Sequence, residues 1–437
     1  MLFKRKLYDE LIEWKQRSNG KTALMIKGAR RVGKTTLVKT FADNEYKSWV
    51  YIDFSVANKD ILNLFSDLSD LDSFYRDLQI ISKKEFYERN TALIFDEVQN
   101  FKRARESIKH LVADGRYDII ETGSLISIKK NIGGIIIPSE EECYELHPLS
   151  FEEFLLAKGN NTFRLLEYNF EKRKPLNEAT HNSMMREYRD YVAVGGMPQA
   201  VEAYVNGKSF QDIDRVKRSI IRLYADDFMK IDPTGITGDY FRMIPSELAS
   251  ESLRYRVNGR IKRSINRIAN MAESKTVQLC FHINDPHIGM SGNLNRTFFK
   301  IFLEDTGLFV TLCFSDNKFS DNAIYKHLVK GKLPANLGYI YENAVCQTLV
   351  SSGHVPRYHT FEKPDGKHHY EIDFMISKGL KTIPIEVKSS SEKSHKSLDE
   401  YLAKHHNDTS EAFVICTKNL RKEGNITYLP IYMTEFL

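Results

Sequence analysis

The segment Gly28–Thr35 constrains the fold of this chain more than any other feature, because it has the spacing of a phosphate-binding loop. A glycine is followed by four residues and then by Gly-Lys-Thr, the pattern that holds nucleotide phosphates. An apolar, strand-like run, Thr22–Lys27, precedes it, and a segment of helical periodicity, Thr36–Asp43, follows it. This strand–loop–helix context predicts a nucleoside triphosphate site; an ordinary glycine-rich turn is the alternative.

The chemistry of phosphate binding explains the residue types in the loop. Glycines allow a tight turn in which successive backbone N–H groups point at phosphate oxygens, and the following helix presents its positive end to the same anion. Lys34 would reach the β- and γ-phosphates, and the Thr35 hydroxyl would bind Mg²⁺. The predicted nucleotide-binding residues are Gly28, Ala29, Arg30, Arg31, Val32, Gly33, Lys34, Thr35, Thr36, Thr122 and Ser124.

Two adjacent carboxylates follow a buried strand at Thr91–Glu97. We predict that Asp96 holds Mg²⁺, mostly through water, and that Glu97 polarises the attacking water as a general base. Two carboxylates about 4 Å apart repel by roughly 4 kcal/mol at an effective dielectric constant of about 20, and a bound cation would relieve that repulsion. The alternative is a solvated acidic pair at the start of a loop.

Further strands are predicted at Ser48–Phe54, Tyr117–Ser124 and Cys143–Leu146. Strands that alternate with helices predict an α/β fold with a parallel sheet, helices on both of its faces and the nucleotide at the carboxyl ends of the strands. At the polar tip of the fourth strand, the hydroxyls of Thr122 or Ser124 could sense the γ-phosphate. The Thr-Gly-Ser sequence is equally typical of a plain turn, and both interpretations stay open.

Composition sets broad limits on the function. At about 150 residues per domain, 437 residues indicate about three domains, and a net charge of +5 permits a nucleic-acid partner without arguing for one. Five scattered cysteines without a CxxC pair disfavour a zinc site and a disulfide framework, and suit a reducing cytoplasm. The basic start Met1–Lys6 lacks an apolar signal core, and no apolar run approaches the roughly 20 residues of a membrane span. We therefore expect a cytoplasmic protein without a membrane partner.

A basic stretch lies in the middle of the chain. A short helix, a turn, a basic helix and a strand hairpin follow one another from about Phe241, which is a winged-helix pattern. No Asp or Glu occurs from Ser252 to Ala272, and such a helix suits phosphate contacts. A solvated basic face, or a surface for a protein partner, is the alternative. The predicted nucleic-acid contacts are Arg254, Arg256, Arg260, Lys262, Arg263 and Arg267.

The C-terminal region carries the spacing Asp, twelve residues, Glu-x-Lys, at Asp373, Glu386 and Lys388. Both ends of the pattern lie on apolar strands, Tyr370–Ile376 and Thr382–Lys388. Glu386 and Lys388 share one face of their strand, and a hairpin would bring Asp373 opposite Glu386, so that both carboxylates meet one Mg²⁺. Lys388 would orient or help to deprotonate the attacking water.

Glu342, on the preceding helix, could add a third carboxylate to this metal site. The predicted catalytic residues of the chain are Glu97, Asp373, Glu386 and Lys388, and the predicted metal ligands are Thr35, Asp96, Glu342, Asp373 and Glu386. The arrangement resembles the PD-(D/E)xK phosphodiesterase fold, with Glu371-Ile372-Asp373 where that family often has Pro-Asp. A relic that binds nucleic acid without cutting it is the alternative.

Several stretches together resemble one large bacterial and archaeal family: AAA-type P-loop ATPases, related to the signal-transducing NTPase clade, with a C-terminal nuclease-like domain. These stretches are Gly28–Thr35, Leu93–Glu97, Thr122–Ser124, Glu145–Phe154 and Val194–Pro198. The resemblance covers essentially the whole chain, and Pro-Leu-Ser-Phe-Glu-Glu-Phe and Gly-Gly-Met-Pro are its specific parts. It implies ATP as the nucleotide, and either a ring-forming homo-oligomer or a monomer before activation.

One departure concerns an arginine. Many relatives carry Leu-Ala-Gly-Arg before the Pro-Leu-Ser-Phe segment, whereas residues Ile135–Glu140 here contain none. Arg103, Arg105 and Arg116 are candidates for a catalytic arginine.

The expected architecture has four parts. Residues 1–160 form an AAA-type P-loop ATPase core, 161–235 a helical lid, 236–325 a winged-helix domain, and 326–437 a small α/β restriction-endonuclease-like domain. The expected function is Mg²⁺-dependent ATP binding and hydrolysis coupled to binding or cleavage of DNA. The alternative is a nucleotide-regulated signalling switch whose C-terminal domain is not catalytic.

Overall fold

The computed structural model describes residues 2–123, 140–250, 252–256, 261–287, 289–315, 322–332, 338–389, 394–405 and 408–437. The chain divides into two compact units, the first comprising residues 1–147 with 273–276 and the second 148–272 with 277–437. None of the described helices is long and apolar enough to cross a bilayer. The four predicted domain boundaries stay a prediction.

Helices and strands alternate in the first unit and intermix in the second. The helices within the described ranges are α1 (Leu7–Ser18), α2 (Lys34–Glu45), α3 (Lys59–Leu64), α4 (Leu71–Ser82), α5 (Lys102–Asp114), α6 (Phe151–Ala157), α7 (Glu167–Lys172), α8 (Glu178–Val194), α9 (Pro198–Val205), α10 (Phe210–Ile231), α11 (Ile236–Ala249), α12 (Ile261–Glu273), α13 (Thr306–Cys313), α14 (Asn322–Val329), α15 (Tyr339–Ser351) and α16 (Lys396–His405). The strands are β1 (Ala23–Lys27), β2 (Ser48–Asp53), β3 (Thr91–Asp96), β4 (Asp118–Thr122), β5 (Glu141–Glu145), β6 (Val277–Ile283), β7 (Leu294–Leu303), β8 (Arg357–Glu362), β9 (His369–Lys378), β10 (Lys381–Lys388), β11 (Ala412–Cys416), β12 (Arg421–Glu423) and β13 (Ile426–Pro430).

The first unit is built on a five-stranded sheet with the order β2-β3-β4-β1-β5. All of its strand pairs are parallel, which confirms the predicted α/β fold. Asp53 lies opposite Asp96, and Ile26 lies opposite Thr122. The carboxyl ends of β1, β3 and β4 therefore meet at one edge of the sheet, where the loop after β1 and the acids after β3 both lie.

Alternation along the strands gives the sheet two buried faces. One core cluster joins Met25, Leu93 and Phe95 to apolar residues of α4 and α5. Leu24 and Ile94 are also fully buried and alternate with that set, so they point to the other face. Strands buried on both faces are typical of parallel sheets.

The second unit contains a mixed eight-stranded sheet with the order β12-β13-β11-β10-β9-β8-β6-β7. The hairpin formed by β6 and β7, which the sequence assigned to a winged helix, joins this sheet through β8. Phe281 lies opposite Arg357, and His282 lies opposite Tyr358. The two strands at this edge of the sheet, β6 and β7, therefore come from a region more than 50 residues upstream of β8. The winged-helix identity stays a prediction.

The two most specific sequence stretches touch in the second unit. The Leu149 N–H donates a hydrogen bond of 2.7 Å to the Gly196 carbonyl, and the Gly196 N–H donates one of 2.6 Å to Asp305 Oδ2. A Cβ at position 196 would lie 2.2 Å from the Leu149 carbonyl oxygen. Gly196 of the Gly-Gly-Met-Pro stretch therefore permits a close approach of two backbone segments.

Candidate functional site

The predicted phosphate-binding loop connects β1 to α2 in the first unit. Gly33 has a φ of 103°, in the left-handed region that favours glycine, and α2 begins at the next residue. Ala29 and Val32 are buried, whereas Arg31 and Thr36 are exposed. The buried side chains of Ala29 and Val32 thus fix the loop against the core. The amino-terminal end of α2 lies next to it, and such a helix end is a favourable site for an anion.

Lys34 is folded onto this loop. Its ammonium group donates hydrogen bonds to the carbonyl oxygens of Gly28 (2.9 Å) and Ala29 (3.0 Å), and the side chain is 7% exposed. Burial lowers the pKa of Lys34, and the nearby acids Glu97 and Asp96 oppose that shift. A charged group this deep needs anionic partners, which nucleotide phosphates would supply.

Three hydroxyl groups converge on the Asp96 carboxylate. The Thr35 hydroxyl donates to Oδ2 at 2.8 Å, the Tyr51 hydroxyl donates to the same oxygen, and the Thr122 hydroxyl donates to Oδ1. Thr35 and Asp96, the two predicted Mg²⁺ ligands, are therefore in direct contact. Thr122 lies beside them, and Ser124 lies outside the described residues.

Sequence reasoning missed Tyr51 as a site residue. Burial and the adjacent Asp96 raise the pKa of its hydroxyl, so it stays protonated and donates. The Lys39 ammonium lies 3.5 Å from the centroid of its ring. The alternation of side chains along β2 could have indicated the face to which Tyr51 points. Its contact with Asp96 could not be predicted in this way, because it depends on β2 lying next to β3 in the sheet.

Glu97 follows the strand in a left-handed conformation, with a φ of 50°. Its carboxylate accepts a hydrogen bond from the Gln99 side chain. Burial raises the pKa of Glu97, an effect that Lys34 opposes and Asp96 reinforces. A raised pKa suits a group that accepts a proton near neutral pH.

The three candidate arginines differ in their surroundings. Arg105 is buried and forms ion pairs with Glu121 and Glu141, whereas Arg116 pairs with Asp114 at 2.8 Å and with Asp72 at 2.6 Å. Arg103 is exposed on α5. Arg105 and Arg116 are thus each held by two acids, whereas the Arg103 side chain is exposed to solvent.

The predicted acids of the second unit meet at the β9–β10 hairpin. The Val387 N–H donates a hydrogen bond of 2.7 Å to Asp373 Oδ2, and the Lys388 ammonium lies 2.6 Å from Glu386 Oε1. The other carboxylate oxygen of Glu386, Oε2, is buried and accepts no hydrogen bond from the part of the chain that the structure describes. An unsatisfied buried carboxylate oxygen is a free ligand atom, so these residues fit a divalent cation.

Further charged groups surround this pair. Burial raises the pKa of Asp373 well above its usual range, and the carboxylates of Glu342, Glu386 and Glu371 raise it further. Lys300 forms an ion pair with Glu371. The nearby acids, Glu371 first, raise the pKa of the Lys300 ammonium against the effect of its burial. We call Lys300, Glu342, Glu371, Asp373, Glu386 and Lys388 the acid–lysine cluster.

Sequence reasoning did not find Lys300, and it mentioned Glu371 only as a neighbour of Asp373. Lys300 lies on β7, in a segment assigned to another domain. One signal was present: it is a single lysine within the apolar run Phe298–Leu303, and buried lysines are rare unless they are paired. Glu342 lies on α15 as expected.

The described part of the basic stretch carries its own counter-charges. Arg256 pairs with Glu247 at 3.1 Å, and Arg267 pairs with Asp232 at 2.8 Å. The Arg254 guanidinium lies 4.5 Å from the ring centroid of Phe298. Arg260 and the side chains of Lys262 and Arg263 lie outside the described residues. The two acids come from α11 and from the residue after α10, both outside the acid-free window.

Comparison with known protein families divides the chain into three matched segments. Residues 20–155 match an AAA domain. Residues 185–320 match a domain of unknown function (DUF8612), and residues 337–434 match another (DUF4143). A search among curated proteins finds no match. The matched segment 20–155 contains the parallel sheet and the phosphate-loop pattern described above, which supports a P-loop ATPase domain of the AAA type in this part of the chain.

Three solved structures align with this chain at low sequence identity. The Walker-type ATPase PABY2304 of Pyrococcus abyssi aligns at 14% identity over 71% of this chain and 96% of that chain, with a TM-score of 0.42. The Aeropyrum pernix ORC2 protein in its ADP form aligns at 13% identity over 76% and 95%, with a TM-score of 0.27. The Aeropyrum pernix ORC1 protein in complex with DNA aligns at 11% identity over 71% and 92%, with a TM-score of 0.24.

Proposed function

We propose that the first unit binds ATP with Mg²⁺ and hydrolyses it, and that the second unit binds or cleaves DNA in a manner coupled to the ATP state. The contact between Thr35 and Asp96, 2.8 Å long, carries the first part of the proposal. It joins a phosphate-loop hydroxyl to the acid that ends β3, and Glu97 follows that acid directly. A loop hydroxyl, an acid for Mg²⁺ and an adjacent glutamate for the attacking water are the groups that hydrolysis of a nucleoside triphosphate requires.

Each residue has a definable role in that reaction. The backbone N–H groups of Gly28–Thr35 and the Lys34 ammonium would bind the phosphates, after Lys34 exchanges its two carbonyl partners for phosphate oxygens. Thr35 and Asp96 would hold Mg²⁺, which supplies neutralisation of phosphate charge when bound. Glu97 would accept a proton from the attacking water, with its pKa already raised by burial.

Nucleotide binding and hydrolysis can be tested separately. Lys34→Ala should lose the ATP-dependent rise in melting temperature, whereas Glu97→Gln should keep that rise and lose phosphate release. Lys109→Ala, on the exposed side of α5, is the control and should behave as the wild type. A full ATP-dependent rise in Lys34→Ala would contradict the proposed site.

The acid–lysine cluster supports the second part of the proposal. A Mg²⁺ ion held by Asp373, Glu386 and Glu342 would lower the pKa of a bound water and neutralise a phosphodiester. Lys388 lies on the same strand face as Glu386 and in contact with it, where its ammonium could orient a water or a phosphate oxygen. The buried Oε2 of Glu386 is the feature that favours a metal at this position.

The surface that would bring nucleic acid to this cluster is the basic stretch. Arg254, which stacks on Phe298, is the best-placed described member, because Arg256 and Arg267 are already ion-paired. Arg260, Lys262 and Arg263 complete the proposed contact set. The alternative is that this surface binds a protein partner. The proposal also includes assembly of the chain into a homo-oligomer.

One observation favours the second candidate function, the nucleotide-regulated switch. The Lys300 and Lys388 ammonium groups pair with Glu371 and Glu386, so two of the four acids are balanced without a metal. A cluster of this kind could be a structural relic, in which case the ATP state would control a contact and not a cleavage.

The deciding experiment is cleavage of linear and circular DNA with Mg²⁺ or Mn²⁺, with and without ATP. Wild type is compared with Asp373→Asn, Lys34→Ala and the control Glu362→Gln, an exposed acid on β8. Cleavage that disappears only in Asp373→Asn supports a catalytic cluster, and a change in Lys34→Ala supports coupling. No cleavage in any condition, with ATP still hydrolysed, would favour the switch.

A further inference from the structure

A second group of metal-ligating side chains lies in the second unit. His287, His405 and Asp408 each offer one ligand atom, and these atoms lie within 4.8 Å of one another. His287 lies in the loop after β6, His405 is the last residue of α16, and Asp408 lies between α16 and β11. Neither the phosphate loop nor the acid–lysine cluster uses any of the three.

The main chain fixes two of these residues. The Asp408 N–H donates a hydrogen bond of 3.1 Å to the His405 carbonyl, and the Thr382 N–H donates one of 3.0 Å to the Asp408 carbonyl. The His405 ring stacks on Tyr401 with their centroids 4.6 Å apart. Ligands that are held in place before binding lose less conformational freedom when an ion arrives.

The surroundings of His287 match those of a metal-binding imidazole. Its Nδ1 lies 3.1 Å from Asp408 Oδ2, and two ligands bound tetrahedrally to one zinc ion at about 2.0–2.1 Å lie about 3.3 Å apart. Its Nε2 lies 2.9 Å from Asp285 Oδ1. Metal-bound histidines usually donate their second ring N–H to a carboxylate in this way, which fixes the tautomer and the ring orientation.

This group is distinct from the acid–lysine cluster. Thr382, which binds the Asp408 carbonyl, lies near the start of β10, and Glu386 lies four residues farther along the strand. At about 3.3 Å per residue, Thr382 and Glu386 lie about 13 Å apart along this strand. Their ligands also differ, because two imidazoles favour zinc and similar ions, whereas a set made only of carboxylates favours Mg²⁺.

We propose that His287 Nδ1, a ring nitrogen of His405 and Asp408 Oδ2 bind one Zn²⁺ ion, with water as the fourth ligand and Asp285 as the outer partner of His287. The ion joins the loop after β6 to the end of α16. The cysteine spacing disfavoured a zinc site, but these ligands are histidines and an aspartate that lie 118 and 3 residues apart, so spacing in the sequence could not indicate them.

The test is calorimetric titration of the chelator-treated full-length chain with Zn²⁺, in excess Mg²⁺ that occupies the oxygen-ligand sites. We expect one tight equivalent and a rise in melting temperature. His287→Ala, His405→Phe and Asp408→Asn should each lose that equivalent, and the phenylalanine keeps a ring against Tyr401. Asp285→Asn should weaken binding by about 10–100-fold.

The matched control is His368→Ala. The His368 Nδ1 lies 2.7 Å from Asp365 Oδ2 on the exposed connection between β8 and β9. This substitution therefore removes another histidine–aspartate pair, at a more exposed position than that of His287. It should bind zinc as the wild type does. The proposal is overturned if the wild type shows no tight equivalent, or if that equivalent persists in both His287→Ala and His405→Phe, which would place the ion elsewhere.

Discussion

The backbone N–H of Val387 donates a hydrogen bond of 2.7 Å to the carboxylate of Asp373. It joins β10 to β9 beyond the last strand pair, Ile385 with Phe374. Val387 lies two residues after Ile385, and Asp373 lies one residue before Phe374. The main chain therefore holds the Asp373 carboxylate beside the residue that separates Glu386 from Lys388. The position of this acid is set by backbone geometry and does not depend on a bound metal.

The first prediction concerns Asp373→Asn. Burial and three neighbouring carboxylates raise the pKa of Asp373, so a neutral isostere should relieve repulsion and raise the melting temperature in the absence of metal. The variant should also lose the stabilisation by Mg²⁺, which at 100 times the dissociation constant is about 2.7 kcal/mol. Thermal melting with and without Mg²⁺ measures both effects. Glu362→Gln is the control, and a full Mg²⁺ effect in Asp373→Asn would contradict the metal site.

The second prediction concerns Tyr51→Phe. The substitution removes one of three hydroxyls that donate to Asp96 and keeps the ring beneath Lys39. Because a hydrogen bond to a charged group contributes roughly 1.5–3 kcal/mol, we expect a loss of stability of that order or less, with ATP binding retained. Denaturant unfolding and nucleotide titration measure the two quantities. Loss of ATP binding as complete as in Lys34→Ala would instead place Tyr51 in direct contact with the nucleotide.

The third prediction is a pH dependence of the first unit. Glu121 and Glu141 share one guanidinium, that of Arg105, and burial raises the pKa of Glu121 from 4.5 to about 8. Between pH 4.5 and about pH 8, Glu121 is therefore protonated in the folded state, whereas in the unfolded state it has released its proton. It follows that the free energy of unfolding should fall as the pH rises from about 4.5 to about 8.

Glu121→Gln isolates this effect. The amide keeps the shape of the side chain and cannot titrate, so the variant should lose part of the difference in stability between pH 5 and pH 8.5 that the wild type shows. Glu106→Gln, an exposed acid on α5 paired with Lys102 at 3.4 Å, should keep the whole difference. Identical pH profiles for wild type and Glu121→Gln would show that another group carries the proton.

Local sequence patterns were sufficient to predict the first unit. The loop Gly28–Thr35 and the acids Asp96 and Glu97 follow apolar strands directly, and parallel strands bring their carboxyl ends to one edge. Sequence adjacency and strand polarity therefore determine most of that site. The hairpin of Asp373, Glu386 and Lys388 was predictable for the same reason, since its two strands are neighbours in the chain.

Contacts that depend on the order of strands and helices could not be predicted. Lys300 reaches Glu371 because β7 belongs to the C-terminal sheet, and no local periodicity carries that information. Likewise, the stretch around Arg256 and Arg267 contains no acids, but folding brings Glu247 and Asp232 to it from outside. The absence of acids from a stretch of sequence describes only the residues that are adjacent along the chain. Whether an arginine forms an ion pair depends on the residues that lie next to it in the folded structure.

The last prediction concerns Gly196→Ala. The new methyl group would meet the Leu149 carbonyl oxygen at 2.2 Å and its nitrogen at 2.7 Å, so the backbone hydrogen bond between these two residues must lengthen or break. Overpacking of this kind destabilises by about 1–3 kcal/mol or more. Gly292→Ala, where nothing lies within 4 Å of the added carbon, should change stability by a few tenths of a kcal/mol at most. Denaturant midpoints of the second unit compare the two, and equal midpoints would mean that the close approach of residues 149 and 196 does not constrain the fold.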